Sequence, residues 1–222
     1  MSHKKWTEYY ERQKGQLICP EGFIVRIFLS TFPYPLLSDR NFHGRKILDL
    51  SCGYGRNLGL LIDLGFSVFA TEVSDEIIQK THEYFPEVEI SKGSNTNLPF
   101  RNGFFDYLMA CNTCYYLEGD SVFANNLCEI SRVLKEEGIF IGSIPTLNHF
   151  IFSGGDHCAD GSVIIRQDRL GLRNGDRLQG AANSNHVSQM LSPFFKNIQI
   201  GHMKDECFGM ARDLYYFTCN CR

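Results

Sequence analysis

Asp49-Leu50-Ser51-Cys52-Gly53-Tyr54-Gly55-Arg56-Asn57 is where this chain most openly carries chemistry. An apolar run from Lys46 ends at an acidic residue, turns through Gly-x-Gly and enters a stretch that reads as a helix start. Such a turn offers backbone N–H groups and a helix N-terminus to a polar or anionic ligand at the carboxyl end of a strand. A second apolar run, Ser67 to Val73, reaches Glu72 after the helix-compatible span Asn57 to Phe69. A carboxylate in that position accepts hydrogen bonds from both hydroxyls of a ribose, so the two runs together describe an adenosine site. A dinucleotide site wants Gly-x-Gly-x-x-Gly to close backbone and helix around a pyrophosphate. Here Ser51 takes the first glycine position, Gly53 and Gly55 follow, and the third dinucleotide glycine is missing.

The pattern resembles the first motif of the class I S-adenosylmethionine-dependent methyltransferases, acidic-x-Gly-x-Gly-x-Gly. Lys92-Gly93-Ser94-Asn95-Thr96-Asn97-Leu98-Pro99-Phe100, with Phe105-Asp106 after it, looks like the family's Gly-Asp-Ala-x-x-Leu-Pro-Phe … Phe-Asp segment. Arg132-Val133-Leu134-Lys135-Glu136-Glu137-Gly138 is similar to its Arg-Val-Leu-Lys-Pro-Gly-Gly connection, and the likeness spans residues 46 to 144. The resemblance implies that Gly53 and Gly55 let the backbone approach the methionine part of the cofactor, while Asp49 orders the turn and helps to hold the amino group. It implies a cofactor set of Asp49, Ser51, Gly53, Gly55, Asn57, Glu72, Val73, Ser94, Asn95, Thr96, Cys111 and Tyr10. Two members depart from the family. Ser51 is accommodated without strain only at negative φ, and Ser94 replaces the Asp that binds the adenine amino group in relatives, leaving Ser94 and Asn95 as uncharged acceptors. Trp6, Tyr9 and Tyr10 resemble a leading aromatic segment that folds over the cofactor in relatives; plain apolar packing onto the sheet is the alternative.

Methyl transfer from a sulfonium is an in-line displacement in which the protein aligns the acceptor and excludes water. A hydroxyl acceptor also has to lose a proton, and histidine is the usual base; an amine must only be neutral. Because ligands lie outside the carboxyl ends of parallel strands, Asn112, Tyr115 and Tyr116 after the fourth strand and His149 after the fifth are the expected acceptor residues. Thr113, Thr146, Asn148 and Asp156 stand nearby in sequence, and His149 and His157 are the candidate bases. The corresponding alternative for His149 is an ordinary loop-end side chain.

These residues need an open α/β sheet to bring them together. Helices are expected over 4–14 and 20–31, the second ended by Pro33 and Pro35, then strand–helix alternation through 46–50, 57–64, 67–73, 75–84, 88–91, 105–111, 121–135 and 139–144. The resemblance implies a doubly wound, mostly parallel seven-stranded sheet flanked by helices, with an antiparallel last strand from a hairpin of 197–203 and 214–219. Residues 146–182 interrupt the rhythm; Asn174-Gly175 and Val163-Ile164-Ile165 mark a small β-excursion on the substrate side. The whole chain reads as one domain, 1–222, with residues 1–40 as a helical cap.

At 222 residues a single domain buries about 70% of its unfolded surface. A net charge of −3 without a Lys/Arg-rich run argues against nucleic acid as partner. No stretch reads as a membrane span or a secretory signal, so a cytoplasmic location is expected, with its nine cysteines reduced. Cys111-x-x-Cys114 lacks two further zinc ligands at matched spacing, since Cys219-x-Cys221 is only a Cys-x-Cys, and no metal is expected. The function expected is methyl transfer from S-adenosylmethionine, releasing S-adenosylhomocysteine, to an oxygen or nitrogen of a small molecule such as a sugar, lipid precursor or secondary metabolite. A non-catalytic cofactor-binding protein and a nicotinamide oxidoreductase are the alternatives; the sequence leaves the oligomeric state open.

Overall fold

The structure is a computed structural model that describes residues 3–12, 19–31, 36–37 and 39–222. Two helices, α1 (His3–Glu11) and α2 (Gly22–Leu29), precede the sheet; Pro33 and Pro35 lie outside the described residues. There follow β1 (Lys46–Asp49), α3 (Leu58–Asp63), β2 (Ser67–Glu72), α4 (Asp75–Tyr84), β3 (Glu89–Lys92) and β4 (Phe105–Ala110). Next come β5 (Tyr116–Leu117), α5 (Phe123–Val133) and β6 (Leu134–Pro145). The insertion supplies β7 (Asp156–His157), β8 (Ser162–Ile164) and β9 (Arg177–Gln179), before α6 (Ser184–Leu191), β10 (Phe195–Cys207) and β11 (Met210–Cys221).

Seven strands form the central sheet in the order β10-β11-β6-β4-β1-β2-β3, with β11 antiparallel to β6 and the strands from β6 to β3 mutually parallel. The chain runs outward from β1 to β3, then crosses to β4 on the other side of β1. The two carboxyl ends that flank this reversal, of β1 and β4, therefore open a crevice.

Alternation along the central strands explains both layers. Ile47, Tyr107, Met109 and Ile141 face α2 and α3, whose Phe23, Ile24, Phe28, Leu58 and Leu61 are buried against them. Leu48, Leu108, Ala110 and Phe140 face the opposite way, under Leu127 and Ile130 of α5 and Val187 and Leu191 of α6. Each such fully buried large side chain contributes about 1.5–3 kcal/mol, so these stripes hold the helices in place.

Two expectations change in detail. The helix expected to run to Lys135 ends at Val133, because Leu134 already pairs with Phe105 and Glu137, at φ 62, turns the chain before the main run of β6. The final hairpin is longer than the apolar pattern indicated, since β10 and β11 remain paired from Phe195↔Cys221 out to Cys207↔Met210, where polar residues carry the ladder. The β-excursion is a four-stranded sheet, β5-β9-β8-β7, stitched to the main domain by β5, a strand too short to show a sequence period.

Candidate functional site

The loop after β1 is shaped by backbone conformation. Ser51, Gly53 and Gly55 all adopt positive φ, at 55, 57 and 78. The negative φ that an unstrained Ser51 requires is thus not found; the turn imposes a left-handed residue there, and serine takes it with its N–H donated to Thr71 Oγ1 at 3.3 Å. Glu72 secures the loop from the next strand. Its Oε2 accepts the Gly53 N–H at 3.0 Å and its Oε1 accepts the Val73 N–H at 2.8 Å, and Thr81 Oγ1 donates to the Gly53 carbonyl at 2.8 Å.

Asp49 ends β1 below this loop, almost wholly buried at 1% exposure, and its Oδ2 has no hydrogen-bond partner among the described residues. Burial and the charge of Glu72 push its carboxyl up to about 8, with Arg56 opposing. Glu72 is raised too, by burial, against the pull of the two N–H groups it accepts. A buried carboxyl with an unused oxygen, beside a second buried carboxyl, ionises more easily when a cationic group comes against it, which makes the pair suited to such a ligand. Cys111 and Cys52, whose thiols burial pushes up, complete the floor.

Sequence reasoning missed Glu21. This residue precedes α2, is buried, and accepts from Asn112 Nδ2 at 3.5 Å, Arg56 Nη1 at 3.2 Å and Arg212 Nη2 at 3.0 Å. Its own N–H donates to Asn57 Oδ1 at 3.1 Å, so Asn57 supports the entrance of α2. Only its position before the apolar run of α2 hints at it; the partners come from three distant segments.

Helix α1 lies across the same loop. Tyr10 stacks on Tyr54 at 4.8 Å, Tyr54 Oη donates to Glu11 Oε1 at 3.0 Å, and Thr7 Oγ1 meets Ser74 Oγ at 3.3 Å. Tyr10 therefore stands directly against Gly53. Trp6, near the start of the same helix, carries the Arg173 guanidinium 5.0 Å from its ring centre.

Beyond the end of β2, Val73 and Ser94 line one cavity. Thr96 Oγ1 is within 3.4 Å of Ser94 Oγ and 3.2 Å of Glu118 Oε2. Asn95 is buried: its Nδ2 donates to the carbonyls of Thr113 and Tyr116 at 3.0 and 3.1 Å, clamping two loops together, and its Oδ1 has no partner among the described residues.

On the acceptor side, Asn112 adopts φ 58 and its amide is held by Ser143 Oγ, 3.0 Å from Oδ1, and by Glu21. Tyr115 and Tyr116 are buried and stack at 5.2 Å; Arg173 Nε donates to Tyr116 Oη at 2.8 Å and Arg173 Nη1 pairs with buried Asp168 at 3.3 Å. His149 is buried at 9% exposure, and its Nδ1 accepts the Ile151 N–H at 3.3 Å. The ring proton therefore sits on Nε2. Burial, then the nearby Arg173 and Arg212 charges, lower its pKa to about 4. The geometry makes His149 a neutral donor, with its one basic nitrogen already engaged. His157 is exposed on β7, the strand of the small sheet farthest from Tyr116, and Asp156 beside it pairs with Arg166 at 2.6 Å. Nearness in sequence does not become a cluster, because β7 and β8 carry His157 to the outer edge.

Among the described residues, no group of three or more His, Cys, Asp or Glu side chains is arranged to hold a metal, no helix is long and apolar enough to cross a membrane, and the described cysteines are unbridged.

Residues 48–142 match the sequence profile of a methyltransferase domain. A protein of Mycolicibacterium smegmatis described as a probable S-adenosylmethionine-dependent methyltransferase is 27% identical over 112 residues, which are 50% of this chain and 42% of that one. The chain spans less than half the length of the curated relatives it matches. Among solved structures, the PH0226 protein of Pyrococcus horikoshii aligns over 97% of this chain and 92% of its own with 21% identity and a TM-score of 0.64. The 1,6-didemethyltoxoflavin-N1-methyltransferase of Burkholderia thailandensis, solved with S-adenosylhomocysteine bound, aligns over 81% and 72% with 14% identity and a TM-score of 0.58. Residues 48–142 thus resemble a methyltransferase domain, in a chain whose fold is shared with a methyltransferase of known structure.

Proposed function

We propose that this chain transfers the methyl group of S-adenosylmethionine to a nitrogen or oxygen of a small molecule. The observation that carries the reading is Asp49: a buried carboxylate with an unpartnered oxygen, under a loop whose Gly53 N–H is already oriented by Glu72. That donor set fits the ammonium of the cofactor's methionine part near Asp49 and its ribose near Glu72, with the base toward Val73 and Ser94. The cofactor supplies an electrophilic methyl group with a sulfide as leaving group. The protein has to exclude water and align the acceptor, and α1, Tyr115 and Tyr116 form apolar walls suited to both tasks.

The state of His149 favours nitrogen. Its Nε2–H can donate a hydrogen bond that orients the acceptor, whereas an alcohol would need a base that His149, with its pKa lowered to about 4, does not offer near neutral pH. An amine that arrives neutral uses its own lone pair on the methyl carbon as the carbon–sulfur bond breaks, and its extra proton then leaves to solvent. We place the protein in the cytoplasm, where unbridged thiols persist.

Calorimetric titration with S-adenosylmethionine and with NAD, followed by a search for S-adenosylhomocysteine production across amine and alcohol panels, tests the reading. Cofactor binding with turnover on an amine is expected. Binding of NAD alone would overturn it, and tight cofactor binding with no product from any acceptor would favour a non-catalytic binding protein.

A further inference from the structure

A cavity of about 450 Å³ adjoins Val73 and Ser94 and is walled on its far side by Leu117, Glu118, Asp176 and Arg177. It lies within the size range of small-ligand sites. Its two walls come from different parts of the chain: Val73 follows Glu72 at the end of β2, whereas Asp176 and Arg177 belong to the insertion. The antiparallel pairing Leu117↔Arg177 fixes the far wall, placing Glu118 beside the start of β9.

Relatives of the resemblance bind the adenine amino group with an acidic residue at the position of Ser94, so this chain lacks a charged acceptor where one is expected. Asn95 is not part of the cavity lining: its Nδ2 serves two carbonyls, and its Oδ1, without a partner among the described residues, is fully buried. Glu118 stands in the same cavity with its backbone N–H donated to Ser121 Oγ at 2.9 Å and its Oε2 accepting from Thr96 Oγ1 at 3.2 Å. The first fixes the backbone and the second the side chain, and acceptor capacity is left on the carboxylate. Arg177 lines the same wall and is anchored to the Ser121 carbonyl through Nη2, while its Nε–H is buried and has no partner among the described residues. The far wall thus sets a carboxylate acceptor and a guanidinium side by side. The edge of adenine shows the complement, an amino donor next to a ring-nitrogen acceptor, and hypoxanthine shows the reverse.

We propose that Glu118, with Arg177 beside it, reads the base of the cofactor by accepting the adenine amino group, so that the insertion and not position 94 sets base specificity. The inference rests on the S-adenosylmethionine reading of the cleft. The probes are S-adenosylhomocysteine and its 6-oxo analogue S-inosylhomocysteine, titrated calorimetrically into the full chain, with no turnover required. The unsubstituted protein is expected to prefer the adenine compound at least tenfold. Glu118→Ala should bring the two affinities within about threefold of each other. Glu118→Gln, which keeps shape and fold but can turn an amide donor toward the 6-oxo group, should narrow the ratio as well, whereas Ser94→Ala should leave it intact. Equal affinities in the unsubstituted protein, or a ratio lost in Ser94→Ala and kept in both Glu118 variants, would overturn the assignment. Failure of the unsubstituted chain to bind either compound would overturn the cofactor reading itself, and this assignment with it.

Discussion

Tyr10 closes over Gly53. A Cβ added to Gly53 would stand 2.7 Å from Tyr10 Cζ and nearer still to its Oη, and the glycine holds φ 57 besides. Position 53 therefore has two reasons to be glycine, the left-handed turn and the tyrosine above it. Any ligand that reaches the backbone of this loop does so beneath or beside α1, which makes the helix part of the site.

Gly53→Ala should lift Tyr10 away and strain the turn together. The expected cost is about 1–2 kcal/mol from backbone conformation alone, with α1 released from the loop. Trypsin cleavage after Lys5 and Arg12 reads the release directly. Unchanged cleavage rates in a folded variant would show that α1 is held elsewhere.

Asp49 makes stability depend on pH in a defined direction. With its carboxyl pushed up to about 8 in the fold and near 4 when unfolded, the folded state binds more protons between those values. Stability should therefore fall as pH rises from about 4 to 8 and level off above, with a slope of up to about 1.4 kcal/mol per pH unit. Asp49→Asn removes that titration, so its urea midpoint should exceed that of the parent at pH 8 and converge with it near pH 4. A variant whose midpoint declines across the window as steeply as the parent's would rule Asp49 out as the source.

The order of strands and helices up to β6 was legible because burial on both faces makes each parallel strand a short apolar run and each helix an amphipathic one. Asp49, Gly53 and Glu72 were legible for a related reason: a turn and two strand ends leave local signatures. What escaped depends on contacts between distant segments. Ser51 has no local feature forcing positive φ; the loop closing on Thr71 does that. Glu21 gains its meaning from Arg56, Asn112 and Arg212, and Tyr116 from Arg173, pairings that no spacing encodes. The separation of His157 from His149 is of the same kind, because β7 and β8 carry His157 to the outer edge of the small sheet.

Arg173 bolts the insertion to α1 and to the acceptor wall, through Asp168, Trp6 and Tyr116. Arg173→Met would leave the Asp168 carboxylate buried with only the Leu172 and Arg173 backbone N–H groups as partners. Loss of one partner of a buried ion pair costs about 3–5 kcal/mol, and the retained N–H bonds place the expected loss near the lower end. Adding Asp168→Asn should restore part of it, since no charge is then stranded. Chemical denaturation of the single and double variants measures this; equal losses in both would mean that Arg173 acts through packing over Trp6 and not through the pair.

His149 should behave as a neutral residue throughout the physiological range. Its pKa is lowered to about 4 by burial first and by Arg173 and Arg212 next, against an unfolded value near 6.5. A depressed histidine pKa means that the unfolded chain takes up the proton first, so the stability this residue contributes is intact above about pH 6.5. It is lost as pH falls toward 4, by about 3 kcal/mol in all. Nitrogen-detected NMR at pH 6 should show a neutral ring protonated at Nε2, as the bond from the Ile151 N–H to Nδ1 requires. The pH profile of any methyl transfer should then lack an inflection near 6.5 that disappears in His149→Leu, while that variant raises the KM of the acceptor by losing the Nε2–H donor. An inflection that vanishes with the substitution would return His149 to the role of base, and with it an alcohol to the list of acceptors.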